Sequence, residues 1–262
     1  MKNKVLVLGR GYLGREFERH GYTVWGSDSP FCTKQDNKYH YDWASLDKFS
    51  VIINCIGKSN TRWCETHFEE AYQTNALFVK TLSEYCHEHD IKLVHISTGC
   101  LYDRSHVPNR ETDFIVAHCN YTVTKWAGEQ YCLPEDLIVR PRLFFGGHVG
   151  ENNLLCKLHR FEKFCTTLDS LASTLVVVEA VETLLLNEQC GIFNVGCDGF
   201  ISIYDIGKLV GISRPEMTSE ELRTREKLYL VNNVMDISKL KKFYSPPHID
   251  GEIRRCWAEL TK

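Results

Sequence analysis

Long apolar stretches are missing from this chain of 262 residues. No run approaches the roughly 20 residues that a membrane-spanning helix requires. The first apolar segment, Val5–Leu8, ends at a glycine and is shorter than the core of a signal peptide. We therefore expect a cytoplasmic protein that has no membrane partner.

A surplus of charge of one sign is also missing, because the formal net charge is only −3. Proteins that bind nucleic acid or anionic membranes usually carry a strong basic excess. Nucleic acid is therefore not an expected partner.

The twelve cysteines lack the spacings of metal and disulfide motifs. No two of them form C-x-x-C, and none joins a histidine at zinc-finger spacing, so no metal site is expected. Cys55, Cys132 and Cys165 lie within apolar runs, where cysteine behaves as a small hydrophobic residue. We expect reduced thiols with structural roles, except at Cys100.

A glycine-rich turn follows the first predicted strand and precedes a helical segment that reaches His20. In this context G-x-G-x-x-G is typical of dinucleotide binding. The glycines allow a tight turn, close approach of the pyrophosphate, and packing of the helix on the strand, with the helix N-terminus aimed at the phosphates. The expected cofactor-binding residues here are Gly9, Arg10, Gly11, Tyr12, Leu13 and Gly14.

The choice of dinucleotide stays open between NADP and NAD. Asp28 lies fourteen residues after Gly14, where an acid usually binds the adenosine ribose and favours NAD. The alternative interpretation is that Asp28 is only a turn residue before Pro30. Four polar or basic residues nearby are candidates for binding a 2′-phosphate, namely Arg10, Ser27, Ser29 and Lys34. NADPH is slightly favoured as hydride donor.

Strand and helix patterns alternate along the chain, which predicts an α/β fold: a doubly wound parallel sheet of the Rossmann type with a small C-terminal substrate-binding lobe. The core is assigned to residues 1–141 and about 171–200, and the lobe to residues 142–170 and 201–262. A loop with a short helical turn is expected over 31–50. Helices are expected over 65–87, 121–133, 152–164 and 179–186, a strand over 191–196, and Ser202 as N-cap of a helix over 203–210. Asn75 is either a solvated residue of the 65–87 helix or a brace for the active-site strand.

Two segments carry acid/base groups for a carbonyl/alcohol interconversion. Thr98 and Cys100 follow the predicted buried strand over residues 91–96. Tyr121 and Lys125 are four residues apart, so on a helix both side chains lie on one face. A tyrosine beside an ammonium group can lose its proton below its ordinary pKa of about 10.

Together these segments resemble the extended short-chain dehydrogenase/reductase superfamily. The residues that carry the resemblance are the glycine turn, Asn54-Cys55-Ile56-Gly57, Ser97-Thr98-Gly99-Cys100-Leu101-Tyr102, Tyr121-x-x-x-Lys125, Arg140-Pro141 and Phe193-Asn194-Val195-Gly196. The turn is one residue shorter than the usual G-x-x-G-x-x-G. The resemblance adds cofactor-binding roles for Cys55, Ile56, Gly57, Asn75, Tyr121 and Lys125.

Within the superfamily, residues 62–67, 74–75, 97–100 and 153–163 resemble plant-type nucleotide-rhamnose synthases, which are 3,5-epimerase/4-reductases. Residues 235–240 are similar to dTDP-4-dehydrorhamnose reductases. The resemblance implies a nucleoside-diphosphate-4-keto-6-deoxy sugar as substrate, in L-rhamnose-type deoxysugar synthesis. A homodimer is an open expectation from the superfamily.

The resemblance also assigns residue roles. Cys100 and Lys157 exchange protons at the carbons beside the ketone, while Thr98 and Tyr121 bind the C4 oxygen. Lys125 lowers the pKa of Tyr121 and holds the nicotinamide ribose. The expected substrate-binding residues are Asn153, Arg160 and Lys163.

Two alternatives remain at this point. In the first, the protein is a 4-keto reductase without epimerase activity, and Cys100 only packs. In the second, it is a non-catalytic NAD(P)-binding regulatory subunit, similar to the reductase-shaped partner of methionine adenosyltransferase. The intact set of Thr98, Tyr121 and Lys125 counts against the second alternative.

Overall fold

A computed structural model describes residues 2–35, 38–102, 108–226 and 234–262. Its strands are, in chain order, β1 (Val5–Leu8), β2 (Thr23–Trp25), β3 (Cys32–Gln35), β4 (Lys38–Tyr41), β5 (Val51–Asn54), β6 (Lys92–Ile96), β7 (Leu137–Pro141), β8 (Phe144–Phe145), β9 (Phe164–Cys165), β10 (Leu168–Asp169), β11 (Ala172–Ser173), β12 (Gly191–Val195), β13 (Ile201–Ser202) and β14 (Glu216–Met217). Six of them form one parallel sheet in the order β12-β7-β6-β5-β1-β2. The predicted doubly wound parallel fold is confirmed.

The helices surround this sheet on both faces. They are α1 (Tyr12–Arg19), α2 (Thr61–Thr66), α3 (Phe68–Tyr72), α4 (Phe78–Glu88), α5 (Asn120–Glu129), α6 (Leu154–Lys157), α7 (Thr174–Leu186), α8 (Ile203–Val210), α9 (Ser219–Glu226) and α10 (Ile249–Leu260). No helix among the described residues is long and apolar enough to cross a bilayer.

Successive side chains of a strand lie on opposite faces of the sheet, so the apolar residues form one core on each face. Val5 and Val7 of β1 belong to the core beneath α1 and α7, whereas Leu6 and Leu8 belong to the core beneath α4. A strand buried on both faces is a near-continuous apolar run, as the sequence of β1 is. The first core continues into α6, α8 and α10, so the predicted division into core and lobe stays a prediction.

The loop predicted over residues 31–50 is wrong in part, because β3 and β4 form an antiparallel hairpin there. Phe31 contacts Tyr41, Trp43 and Phe78 through its ring, with centroids 5.1–6.4 Å apart. Aromatic pairs of this kind stabilise structure beyond their buried area. These aromatic contacts hold the hairpin against α4. The polar sequence of residues 31–50 did not indicate them.

The helix predicted over residues 65–87 is interrupted twice. His67 has φ −132° and ψ 51°, which separates α2 from α3. A π-helical turn, Gln73–Leu77, then joins α3 to α4. Single π turns inside helices are frequent at functional sites, and this one contains Asn75.

The helix predicted over residues 152–164 is also too long. Regular helix ends at Lys157, one 3₁₀ turn follows over Leu158–Arg160, and Phe161 is extended. Phe164 then donates its N–H to the Pro215 carbonyl, as β9 pairs with β14. Pairing with a distant strand therefore overrides the local helical pattern.

Other elements agree with the expectations within a few residues. Helix α5 covers the predicted Tyr121 to Lys125 segment, and α7 begins at Thr174, five residues before the predicted helix. Ser202 is the N-cap of α8, since its hydroxyl accepts the Asp205 N–H at 3.0 Å.

Candidate active site

A cavity of about 310 Å³ lies at the carboxyl ends of β1, β5, β6 and β7. The order of the sheet reverses between β1 and β5, and ligands of open α/β sheets bind at such a switch point. The cavity brings together most of the predicted site residues: 11–14, 55–57, Thr98, Cys100, Tyr121, Lys125 and Lys157.

The glycine turn has the geometry that its spacing predicts. Gly9 has φ +103°, and a Cβ there would lie 2.8 Å from the Cys55 carbonyl carbon. A Cβ at Gly14 would overlap the carbonyl oxygen of Gly9. By contrast, a Cβ at Gly11 would meet no described atom within 4 Å. The first and third glycines are needed for chain packing, and the second faces open space.

The open space at Gly11 fits a dinucleotide pyrophosphate. Gly11 is the N-cap of α1, and the first N–H groups of a helix have no intrahelical partner. Such N–H groups favour an anion at a helix N-terminus. Ser97 also lines the cavity, and its buried hydroxyl has no hydrogen-bond partner among the described residues. The residues present therefore fit the predicted cofactor.

Arg10 and Asp28 lie beside each other beyond the cavity, at the end of β2. A Cβ on Gly26 would be 3.0 Å from Asp28 Oδ1 and 3.2 Å from Arg10 Cβ. Arg10 donates to Glu18 at 2.7 Å, so its guanidinium is already in an ion pair. The two residues occupy the predicted adenosine end, and their cofactor contacts stay a prediction.

Thr98 and Tyr121 meet at the cavity wall. Thr98 caps the short turn Gly99–Leu101, and its Oγ1 accepts the Cys100 N–H at 3.1 Å. Burial is the main influence on Tyr121 and raises its pKa, as does the nearby Cys100, whereas a hydrogen bond with Thr98 lowers it. The net direction is upward, so the expected lowering of this pKa is wrong for the free protein.

Lys125 lines the cavity, and its buried ammonium group is directed to the end of β6. Its Nζ donates to the Ile96 carbonyl at 2.8 Å and lies 3.5 Å from His95 Nε2. Burial lowers the pKa of Lys125 to about 8. Burial and the charge of Lys125 also hold the pKa of His95 well below its ordinary value, so the imidazole is neutral.

The geometry of Asn75 favours the second interpretation, a brace. The residue is fully buried, and its Oδ1 accepts the Lys58 N–H at 2.8 Å. Its Nδ2 donates to the Lys58 carbonyl and to Thr124 Oγ1, both at 3.0 Å. It thus links the segment after β5 to α5, where a Cβ on Gly128 would overlap the Asn75 carbonyl oxygen. Asn75 does not line the cavity, and its predicted contact with the cofactor stays a prediction.

Cys100 has a buried cationic neighbour that the sequence did not single out. Arg142 Nη1 donates to Cys100 Sγ at 2.8 Å. The same guanidinium binds Asp169 through two hydrogen bonds, the Nη2 to Oδ2 distance being 2.8 Å. Lys157 lines the same cavity, and burial is the main cause that lowers its pKa.

The three predicted substrate residues do not line the catalytic cavity. Asn153 is fully buried and structural, since it caps α6 and donates to the carbonyls of Gly146 and His148. Arg160 and Lys163 line a second cavity of about 400 Å³, together with Arg62. It is Asn152, not Asn153, that faces the catalytic cavity.

Comparison with known proteins gives the chain a family. The model of the RmlD substrate binding domain matches residues 3–226. The trifunctional UDP-glucose 4,6-dehydratase/UDP-4-keto-6-deoxy-D-glucose 3,5-epimerase/UDP-4-keto-L-rhamnose-reductase RHM1 of Arabidopsis thaliana is 24% identical over 267 residues. That match covers 87% of this chain and 39% of the relative, so the chain spans about two-fifths of that protein.

Two solved structures have the same fold over nearly the whole chain. The dTDP-4-dehydrorhamnose reductase of Bacillus anthracis, in complex with NADP, superposes with a TM-score of 0.82 at 19% identity and covers 99% of this chain and 100% of that one. The UDP-rhamnose synthase of Acanthamoeba polyphaga mimivirus gives 0.81 at 18% identity, covering 97% and 99%. The NADP of the first relative agrees with the dinucleotide expected here, and the resemblance to extended short-chain dehydrogenase/reductases is confirmed. Because the family model matches most of its length, the chain belongs to the RmlD substrate binding domain family.

Proposed function

We propose that this protein reduces a nucleoside-diphosphate-4-keto-6-deoxy sugar with NADPH, after epimerising it at C3 and C5. One observation carries the proposal: a single cavity is lined both by Thr98, Tyr121 and Lys125 and by Cys100 and Lys157. The first set suits carbonyl reduction, and the second suits proton exchange beside the carbonyl. The relatives named for UDP-4-keto-6-deoxyglucose epimerisation and for dTDP-4-dehydrorhamnose reduction support the same substrate class.

The reduction requires a proton donor at the C4 oxygen. When bound, NADPH supplies the hydride. Tyr121 keeps its proton at neutral pH because burial raises its pKa, and it donates that proton to the oxygen as negative charge develops there. Thr98 donates a second hydrogen bond to the same oxygen. Residues 11–14 and 55–57 hold the dinucleotide against the sheet edge.

The epimerisation requires two groups that act on opposite faces of the sugar. One removes the proton beside the ketone, which leaves an enolate, and the other returns a proton to the opposite face. Cys100 is assigned as one of these groups and Lys157 as the other. Burial is the main cause that lowers the pKa of Lys157, which makes its ammonium group a better proton donor than an exposed lysine.

The second cavity is a candidate site for the substrate diphosphate. Arg62, Arg160 and Lys163 give it three cationic side chains. Its lining lies close in sequence to that of the catalytic cavity, since Thr61 and Lys157 line the catalytic cavity and Arg62 and Arg160 line the second one. Arginine is well suited to binding phosphate oxygens in pairs.

The test is a panel of UDP-, dTDP- and GDP-linked 4-keto-6-deoxy sugars with NADPH or NADH. The product stereochemistry and the deuterium taken up from D₂O are measured by NMR. Wild-type protein should incorporate deuterium at C3 and C5. The Cys100→Ser variant should lose this exchange, while Cys190→Ser, which changes an exposed thiol, should keep it. Oxidation of NADPH without deuterium at either carbon would refute the epimerase step.

A reductase without epimerase activity is the second candidate. The observation that favours it is the hydrogen bond from Arg142 to Cys100, because a satisfied thiol also serves a purely structural role. In that case Cys100→Ser reduces the epimerised 4-keto sugar as fast as wild type, and neither protein exchanges deuterium. Binding of NADPH without its consumption by any sugar of the panel would favour the regulatory alternative.

A further inference from the structure

We propose that Arg142 is a positioning residue for Cys100: its guanidinium, held by Asp169, fixes the sulfur at the cavity wall and places a permanent positive charge against it. This inference rests on the proposed epimerase function, which assigns the proton exchange to Cys100. Three groups carry it, namely the thiol, the guanidinium and the carboxylate, which are joined by consecutive hydrogen bonds.

The backbone around Arg142 holds the guanidinium in one place. Arg142 directly follows β7, and its carbonyl accepts the Ala172 N–H at 2.9 Å. Only 3% of the residue is exposed, and the paired carboxylate belongs to β10. A bidentate arginine–carboxylate pair fixes the plane of the guanidinium, which leaves Nη1 aimed at the sulfur.

The segment of Cys100 is packed directly against this arginine. A Cβ on Gly99 would lie 3.3 Å from Arg142 Cβ and would overlap Met235 Sδ. Glycine therefore permits the close approach that brings Cys100 within hydrogen-bond distance. The turn that carries Cys100 is closed by Thr98, so the sulfur is fixed from both sides.

The chemistry requires such a neighbour. In the anionic form, Cys100 takes the proton from the carbon beside the ketone. The C–H electron pair moves into the enolate, an S–H bond forms, and the ammonium of Lys157 returns a proton to the opposite face of that carbon. A guanidinium stays protonated throughout, so it stabilises the anionic sulfur without competing as an acid.

A purely structural role makes a different prediction. A buried ion pair between Arg142 and Asp169 needs no third partner, and replacing both members by uncharged residues is often neutral for stability. The double variant Arg142→Met/Asp169→Asn is therefore expected to fold, which circular dichroism and NADPH binding verify. Removing only the arginine would leave an unpaired buried carboxylate, so the double variant is the appropriate comparison.

The direct test is alkylation of Cys100 by iodoacetamide as a function of pH. Tryptic peptide 93–104 contains Cys100 as its single cysteine, so mass spectrometry follows this thiol among the twelve. Loss of the charge-assisted hydrogen bond should slow alkylation at pH 7 about 10- to 100-fold. Arg142→Lys, which keeps the charge but not the planar fork, should give a smaller loss.

The second readout separates proton exchange from hydride transfer. With the 4-keto-6-deoxy substrate in D₂O, the double variant should incorporate deuterium about 10- to 100-fold more slowly. With the epimerised 4-keto sugar and NADPH, its turnover should stay within about threefold of wild type, because Cys100 takes no part in that step.

The outcomes distinguish the two proposals. Equal alkylation profiles in wild type and the double variant would overturn the role of Arg142, whatever the enzyme does. If wild type neither exchanges deuterium nor oxidises NADPH with any sugar, the proposed function fails, and the alkylation profiles still decide the effect of Arg142 on the sulfur. Equal losses of deuterium exchange and of hydride transfer would indicate general damage to the site and would also overturn the inference.

Discussion

Replacing Lys125 by methionine should stabilise the protein at neutral pH while it removes activity. Lys125 is 4% exposed, and burial lowers its pKa from the ordinary 10.5 to about 8. A tenfold change in an acid constant corresponds to about 1.4 kcal/mol, so carrying the charge in the folded state at pH 7 costs about 3 kcal/mol. The lost hydrogen bond to the Ile96 carbonyl offsets about 1 kcal/mol of this. The net gain expected for Lys125→Met at pH 7 is about 2 kcal/mol.

The dependence on pH follows from the direction of the shift. Between pH 8 and 10.5 the unfolded state binds more protons at Lys125 than the folded state does, so wild-type stability rises with pH in this window. Methionine has no such dependence. The penalty of about 3 kcal/mol in wild type falls to about 1 kcal/mol at pH 10, which cancels the advantage of the variant there.

Urea unfolding at pH 7, 8.5 and 10 checks this prediction. The matched control is Lys80→Met, which removes a lysine from the exposed side of α4 and should change stability by no more than about 0.5 kcal/mol. The reasoning is refuted if Lys125→Met is less stable than wild type at pH 7, or if its advantage is unchanged at pH 10. Turnover with any 4-keto sugar should be lost in the variant at every pH.

Three further substitutions test other parts of the structure. Tyr121→Phe should lower kcat by about 10²- to 10⁴-fold in steady-state assays, which is the usual contribution of a positioned proton donor. Gly14→Ala should reduce both thermal stability and NADPH binding, since its Cβ would overlap the Gly9 carbonyl oxygen. Arg140→Met should destabilise the protein by about 3–5 kcal/mol in urea unfolding, because it leaves the buried carboxylate of Glu129 unpaired, and adding Glu129→Gln should recover much of the loss.

The sheet was predictable because its signal is local. Each of its inner strands is a short apolar run that ends at a turn, and alternation with helices implies parallel strands. The hairpin β3–β4 was missed because its stability comes from contacts between Phe31 and residues as distant as Phe78. The early end of α6 was missed for a similar reason, since the pairing of Phe164 with the segment at Pro215 replaces helical hydrogen bonds.

Site residues could be predicted where their position follows from the local segment alone. The glycine turn, Thr98, Cys100, Tyr121 and Lys125 all follow strand ends or share a helix face, and they lie together as expected. Asn153 was misjudged because a polar residue at a helix start is as well suited to capping as to substrate binding. The pairing of Arg142 with Asp169 could not be predicted from the sequence. The two residues are 27 positions apart, and only the tertiary structure brings them within hydrogen-bond distance.

Two buried cationic groups lie beside the cavity at the carboxyl edge of the sheet. At the carboxyl end of β6, Lys125 lies beside a neutral imidazole, and after β7 Arg142 is enclosed with Asp169. Neither arrangement is favoured by stability alone, since burying an ammonium or an ion pair costs free energy that apolar side chains would not. The two apolar cores that flank the sheet supply the stability that tolerates this cost. Arg142 donates a hydrogen bond to Cys100 and Lys125 donates one to the Ile96 carbonyl, and both of these acceptors belong to residues that line the cavity. Fixed charges act most strongly where water is excluded. Burial raises the pKa of Tyr121 and lowers that of Lys125. The phenol is therefore protonated, as the proposed reduction requires.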